Sequence, residues 1–241
     1  MDTRVEDIFS RTVRLVGDEA MSRIGSSRVI IFGVGGVGSW CAEGLVRSGI
    51  GHLTIVDGDL VCASNVNRQA MATTETIGRV KVDAMRERLL SINPNADIVA
   101  RQELYTAESA ESFRLEEYDF VIDAIDSLAD KLELILHATA VARGGKCRFY
   151  SSMGAARKMD ISSLRVTEFW DVDGCPLARA LRKRMRRQQR YPSSKFKCVW
   201  SPEVKQNLCG DSDYNGTMVH VTAAFGFTLS GLVLHEIVSC T

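Results

Sequence analysis

Apolar positions along the chain alternate between short continuous runs and segments of helical spacing. Residues 5–24 read as an N-terminal helical region, with Ile8, Phe9, Val13, Leu15 and Val16 set among charged neighbours. Arg28-Val29-Ile30-Ile31-Phe32 is a short apolar run that ends in glycines, as a buried parallel strand does. A helix over 39–48 follows, closed by Gly49-Ile50-Gly51, then a second strand over 52–57 ending in a carboxylate. Residues 80–92 form an amphipathic helix stopped by Asn93-Pro94-Asn95. Strands are predicted over 98–101, 120–124 and 147–151, with a helix over 131–143 before the last. The apolar stretch 219–238 contains His220, Thr222, Thr228, His235 and Glu236. A bilayer span needs about 20 predominantly apolar residues, so this stretch reads as a buried C-terminal helix, or a strand then a helix.

Strands alternating with helices predict an α/β fold: a Rossmann-like, mostly parallel sheet with flanking helices and a basic C-terminal extension. Ligands are then expected beyond the carboxyl ends of the strands. With 241 residues, 45% hydrophobic and 25% charged, the chain suits one domain over 1–241. Residues 5–150 would be its nucleotide-binding core and 151–241 its substrate- and RNA-binding portion. The net charge is zero, yet residues from Gly174 onward hold ten basic and four acidic side chains, leaving an acidic front. None of the seven cysteines is paired at C-x-x-C spacing, which argues against a tetrahedral zinc site. Their odd number and the charged first residues point to a reducing cytoplasm rather than secretion.

Gly33-Val34-Gly35-Gly36-Val37-Gly38 lies between a predicted strand and a predicted helix, where bare backbone N–H groups can approach phosphate. With Asp57 at the end of the second strand this is a dinucleotide fingerprint, and taken alone it favours a nicotinamide or flavin enzyme. Asp57-Gly58-Asp59, Ser64-Asn65-Val66-Asn67-Arg68-Gln69 and Lys81 change that reading. A triphosphate losing pyrophosphate needs cations such as Arg68 and Lys81 to neutralise developing charge. Asp123 and Asp126 form a second acidic cluster suited to Mg²⁺, which takes one or two carboxylates plus phosphate oxygens.

In this order, Gly-x-Gly-Gly-x-Gly, Asp57, Ser-Asn-x-x-Arg-Gln, Lys81 and Asp-x-x-Asp resemble the superfamily of ubiquitin-activating enzymes. That superfamily includes the bacterial adenylyltransferases of molybdopterin and thiamine synthesis. The resemblance implies ATP held by Gly33, Gly35, Gly36, Gly38, Asp57 and Asp59, with Asp57 on the ribose. It further implies phosphate contacts from Asn65, Arg68 and Lys81, and Mg²⁺ on Asp126. Phe9-Ser10-Arg11-Thr12 looks like the family's N-terminal helix, whose arginine completes the neighbouring subunit's site. Arg11 is then catalytic beside Arg68, Lys81 and Asp126 in a homodimer with shared sites, with Arg14 the other candidate.

The stretch 153–160, followed by Cys175-Pro176-Leu177-Ala178-Arg179 and a basic helix, resembles one branch, the tRNA threonylcarbamoyladenosine dehydratases. That branch implies ATP-dependent ring closure of threonylcarbamoyladenosine in tRNA through an acyl-adenylate. The alternative is adenylation of the C-terminus of a ubiquitin-like or sulfur-carrier protein, and a sulfur-donor protein partner fits either. Cys209 is a thioester candidate, although an ordinary free thiol is the simpler reading.

From Gly174 to Pro202 there are nine basic residues and no acid, with Tyr191, Phe196 and Trp200 interleaved. Such a run suits a phosphate backbone, and its aromatics suit unpaired bases. Arg179, Arg182, Lys183, Arg186 and Arg187 are the predicted RNA contacts. A membrane-surface helix is the competing reading of the same run.

Overall fold

Phe32, at the carboxyl end of the first strand, registers with Val56 on one side and Asp123 on the other, and that alignment gathers the glycine loop and two acidic strand ends at one edge. In the computed structural model, which describes residues 8–145, 147–208 and 215–239, seven strands form one sheet. They are β1 (Arg28–Phe32), β2 (His52–Val56), β3 (Asp97–Arg101), β4 (Phe120–Asp123), β5 (Arg148–Ser152), β6 (Arg165–Glu168) and β7 (Lys197–Trp200). Their order is β3-β2-β1-β4-β5-β7-β6, parallel throughout except for the β6–β7 pair. Chain order reverses at β1, whose neighbours β2 and β4 lead their connections away in opposite directions. This opens the crevice in which α/β sheets bind ligands.

The helices are α1 (Ser10–Val16), α2 (Asp18–Ser26), α3 (Gly38–Arg47), α4 (Lys81–Ile92), α5 (Leu128–Arg143), α6 (Pro176–Gln188) and α7 (Val219–Ser239). The predicted N-terminal helical region is therefore two helices, broken at Gly17, whose φ of 82° suits a residue without Cβ. The continuous apolar run of β1 is explained by burial on both faces. Val29 and Ile31 join a core with α3, α4 and α7, while Ile30 and Phe32 join one with α5 and α6.

The C-terminal apolar stretch is one helix, long and apolar enough by composition to cross a membrane, with 44% of its most apolar window buried in the fold. Its packing explains its composition. A Cβ on Gly226 would fall 2.5 Å from the Val37 carbonyl oxygen, and one on Gly44 would fall 2.6 Å from Ser230 Oγ. Small residues thus let α7 lie close against α3. The basic segment is likewise no appendage: β6 and β7 extend the sheet on either side of α6, whose Ala178, Leu181 and Met185 are buried.

Candidate active site

A cleft of about 890 Å³ opens at the carboxyl edge of the sheet, lined by the glycine loop, the 152–158 segment, Asn215 and Thr217. Two glycines of the loop are required by contact. A Cβ on Gly33, at φ 86°, would sit 2.7 Å from the Ala124 carbonyl oxygen, and one on Gly38 would sit 1.8 Å from that of Gly33. The loop therefore packs directly against the end of β4, and α3 begins from it with its N–H groups toward the cleft.

Asp57 is built into this loop. Its Oδ2 accepts from the Val34 N–H at 2.7 Å and its Oδ1 from the Asp59 N–H at 3.0 Å. A carboxylate offers about four lone-pair positions, so acceptor capacity remains for ribose hydroxyls. Lys81, the first residue of α4 and only 6% exposed, donates to Asp59 Oδ2 at 2.7 Å and lies 3.7 Å from Asp57 Oδ1. One of its three donors is thereby committed and the ammonium is aimed along the cleft wall.

Asn65 caps the turn at Ala63–Asn65 by accepting from the Cys62 N–H at 3.1 Å. Arg68 is anchored through Nη1 to the Ser64 carbonyl at 2.7 Å, and its own carbonyl accepts from Trp40 Nε1 at 2.9 Å. Gly33, Gly35, Gly36, Asp57, Asp59, Asn65, Arg68, Lys81 and Asp126 all line this one cleft. So does Gln69, the last residue of the Ser-Asn-x-x-Arg-Gln run. It is 5% exposed, and its Oε1 has no hydrogen-bond partner among the described residues, a cost that a bound ligand's donor would relieve.

The paired role read for Asp123 and Asp126 does not hold. Asp123 is fully buried, its Oδ2 accepting from Ser151 Oγ at 2.6 Å and lying 2.7 Å from Lys131 Nζ, itself fully buried. Lys131 also donates to the Ile125 carbonyl at 3.0 Å, and Asp123 Oδ1 accepts from the Ile125 N–H at 3.1 Å. This ion pair clamps the turn that carries Asp126 and leaves Asp123 unavailable to a metal. Asp126 is exposed on the cleft, with no hydrogen-bond or ion-pair partner among the described residues. Among those residues, no three His, Cys, Asp or Glu side chains are grouped to hold a metal on protein ligands alone. A single free carboxylate nevertheless fits a cation that draws most of its ligands from phosphate and water.

The far half of the cleft is assembled from segments distant in sequence. Lys158, 3% exposed, donates to the carbonyls of Ser201, at 3.0 Å, and Glu203. Burial pulls its pKa below the usual lysine range. The N–H groups of Asp160 and Met159 hold the Glu203 carboxyl below the usual carboxylate range, accepting distances being 2.9 and 2.8 Å. Ser152, Met153 and Leu177 also line this half.

The predicted RNA contacts divide on α6. Arg179, Lys183, Arg186 and Arg187 are exposed. Arg182 is not free: its Nη1 donates to the carbonyls of Val172 at 2.8 Å and Phe169 at 3.2 Å, and the guanidinium covers the Phe169 ring. Hydrogen-bonded fork and half-burial make it a strut between α6 and the β6–α6 connection. Two of the interleaved aromatics are also structural. Phe196 stacks on Phe169 in the core, and Trp200, 2% exposed, donates to Thr167 Oγ1. The exposed aromatics there are Tyr191 and Trp170, their ring centres 6.4 Å apart.

Arg11 and Arg14 are exposed on α1, outside the cleft lining. That helix buries none of its residues, and its Leu15 is 86% exposed. Cys209 lies outside the described residues.

The chain as a whole is similar to proteins of known name and structure. A "tRNA threonylcarbamoyladenosine dehydratase" of Haemophilus influenzae is 30% identical over 248 aligned positions, covering 96% of this chain and 94% of that one. A Bacillus subtilis protein of the same name is 37% identical over 75% of this chain and 69% of its own length. The crystal structure of the Escherichia coli enzyme TcdA in complex with ATP superposes with a TM-score of 0.85 at 32% identity, covering 98% of this chain and 96% of that one. The ThiF family profile matches residues 9–238, nearly the full length, and the chain belongs to the ThiF family.

Proposed function

We propose that this protein is an ATP-dependent enzyme that dehydrates threonylcarbamoyladenosine in tRNA to its cyclic form. The observation that carries the proposal is a single cleft that joins a half suited to a nucleoside triphosphate to a second half with room for an acceptor. A threonyl carboxylate is a poor electrophile, because its leaving group would be oxide. When one of its oxygens attacks the α-phosphorus of ATP, the bond to the β-phosphate breaks and pyrophosphate leaves. An atom of the same side chain's carbamoyl group then attacks the activated carbonyl carbon. AMP departs with the former carboxylate oxygen, and one proton is released.

The second step is intramolecular, so positioning supplies much of the rate and no protein nucleophile is needed. Arg68 and Lys81 are assigned to the phosphates, where preorganised charge is the largest catalytic contribution. Asn65 and Gln69 complete the phosphate cradle, and Asp57 and Asp59 take the ribose side. Asp126 would hold Mg²⁺, which supplies charge neutralisation on the phosphates. Arg11 would reach the cleft of a second copy in a homodimer, which its exposure on an unburied helix supports. The exposed cations of α6 would carry the tRNA backbone. ATP and tRNA are both cytoplasmic, and we place the reaction there.

Incubating the protein with ATP, Mg²⁺ and tRNA bearing the modification should remove one water from the modified nucleoside. One AMP and one pyrophosphate should appear per nucleoside closed. Unchanged nucleoside mass, or stabilisation by NAD rather than ATP in a thermal-shift assay, would overturn the proposal.

A further inference from the structure

Arg157 is one of three non-glycine residues with positive φ among the described residues, at 61°, and it alone of the three lines the cleft. An L-residue rarely adopts this conformation, and such outliers persist where surrounding contacts over-determine them. The contacts are present. The Arg157 N–H donates to the Gly216 carbonyl at 2.9 Å, and its carbonyl accepts from the Lys205 N–H at 2.8 Å. Its Nε donates to the Lys205 carbonyl at 2.6 Å. Backbone and stem are therefore fixed at three points, while the two terminal nitrogens have no partner among the described residues. Among the described residues this is a preorganised, unfilled fork.

Its surroundings indicate what fills it. Among the described residues, the carboxylates that line the cleft all belong to the nucleotide half: Asp57, Asp59, Glu103, Asp126 and Asp130. The opposite half contributes Arg157 and Lys158, and the Lys158 ammonium is already bound to two carbonyls. Arg157 is also tied to the phosphate wall. Its partner Gly216 precedes Thr217, whose carbonyl accepts from Asn67 Nδ2 at 3.2 Å, next to Arg68. Among the described residues, the Glu203 carboxylate of this half lies outside the cleft lining and is taken up by the Met159 and Asp160 N–H groups, so an anion on Arg157 would meet no carboxylate of the lining there.

Resting on the dehydratase reading above, we propose that Arg157 grips the carboxylate of the threonylcarbamoyl group. Arginine binds a carboxylate through two parallel N–H···O bonds, which fixes the orientation of the attacking oxygen as well as its position. Residue 157 then serves this chain as a determinant of modified over unmodified tRNA.

The test compares wild type with Arg157→Gly, which adopts the same φ without strain, and with Arg157→Asn, which tolerates it. Affinities are measured for ATP, for tRNA bearing threonylcarbamoyladenosine and for the same tRNA with plain adenosine. Both variants should bind the modified tRNA roughly ten- to a hundred-fold more weakly, the loss typical of hydrogen bonds to a charged group. Binding of ATP and of unmodified tRNA should not change, and the thermal midpoint should shift only by the small amount that loss of the Nε–Lys205 bond costs. Equal weakening of both tRNAs, with a shallower salt dependence, would assign Arg157 to backbone phosphate and overturn the proposal. Weaker ATP binding would assign it to the nucleotide, and undiminished discrimination by the variants would leave it no role; either also overturns it. If wild type itself fails to discriminate, the dehydratase reading is what falls.

Discussion

The two halves of the cleft are held by different physics. The nucleotide half rests on charge buried beneath the sheet edge, where Lys131 and Asp123 are both fully buried and 2.7 Å apart. Around that pair the glycine loop, Asp57 and Lys81 sit at a strand end or a helix start, and Asn65, Arg68 and Gln69 lie in or just after the Ala63–Asn65 turn between β2 and α4. The acceptor half rests on long-range hydrogen bonds between connections: Arg157 to Gly216 and Lys205, and Lys158 to Ser201 and Glu203. One half is fixed by elements, the other by loops holding one another. On the proposed assignment, phosphate binding is local and acceptor specificity is open to change through few substitutions.

The largest expected effect lies under the nucleotide half. Lys131→Met leaves the Asp123 charge buried without its cation and should cost about 3–5 kcal/mol of stability, measured by urea unfolding. Adding Asp123→Asn should recover much of the loss, because an unpaired charge costs more than an absent pair. A single variant as stable as wild type would show that this clamp does not hold the site.

Next is Lys81→Ala, which should lower turnover by a factor on the order of 10²–10³ while leaving tRNA affinity unchanged. Mixing it with Arg11→Ala should restore part of the activity if Arg11 completes the neighbouring copy's site, because a mixed dimer holds one intact site. No recovery after proven subunit exchange would mean that each chain completes its own.

The difference between the halves also explains what the residues revealed unaided. The strand-to-helix glycine loop, Asp57, Arg68 and Lys81, which the fold brings to one cleft, are legible as a group because a triphosphate would need backbone N–H groups and cations together beyond the strand ends. The inner strands β1, β2 and β4 are legible because burial on both faces writes continuous apolar runs, while β3, at the sheet edge with Val99 exposed, shows only a short apolar stretch. Asp123 was misread because a strand-end carboxylate looks the same in sequence whether it faces a ligand or a buried lysine; Lys131, eight residues on, was the available signal. Arg182 was misread because one cation in a basic run shows nothing of the carbonyls above it. Arg157 and Lys158 stand in a stretch whose family likeness was visible, but their partners lie some 45 to 60 residues away, beyond local pattern.

A smaller effect separates the two kinds of arginine on α6. Replacing Arg179, Lys183, Arg186 and Arg187 by alanine should weaken tRNA binding and flatten its salt dependence by roughly 0.7–0.9 per lost contact, with ATP binding intact. Arg182→Ala should instead lower the melting temperature and leave that slope nearly unchanged. The reverse pattern would remove the distinction drawn between strut and contact.

The smallest effect concerns pH in the acceptor half. The N–H groups of Asp160 and Met159 hold the Glu203 pKa below its ordinary value of 4.5. A carboxyl depressed in the folded state contributes stability above its unfolded pKa and loses it as pH falls through the folded value. Glu203→Gln should therefore flatten the fall in melting temperature below about pH 4.5. Identical acid profiles would show that the carboxylate adds nothing there.

The central claim is that one cleft brings a substrate carboxylate to the α-phosphate of ATP, and an isotope label tests it most directly. tRNA is prepared with heavy oxygen in the threonyl carboxylate of the modified nucleoside and converted with unlabelled ATP. Activation at the α-phosphate predicts one heavy oxygen in the AMP released for each doubly labelled carboxylate converted, and none in pyrophosphate. Heavy oxygen in pyrophosphate or phosphate, or AMP without label, would contradict the account.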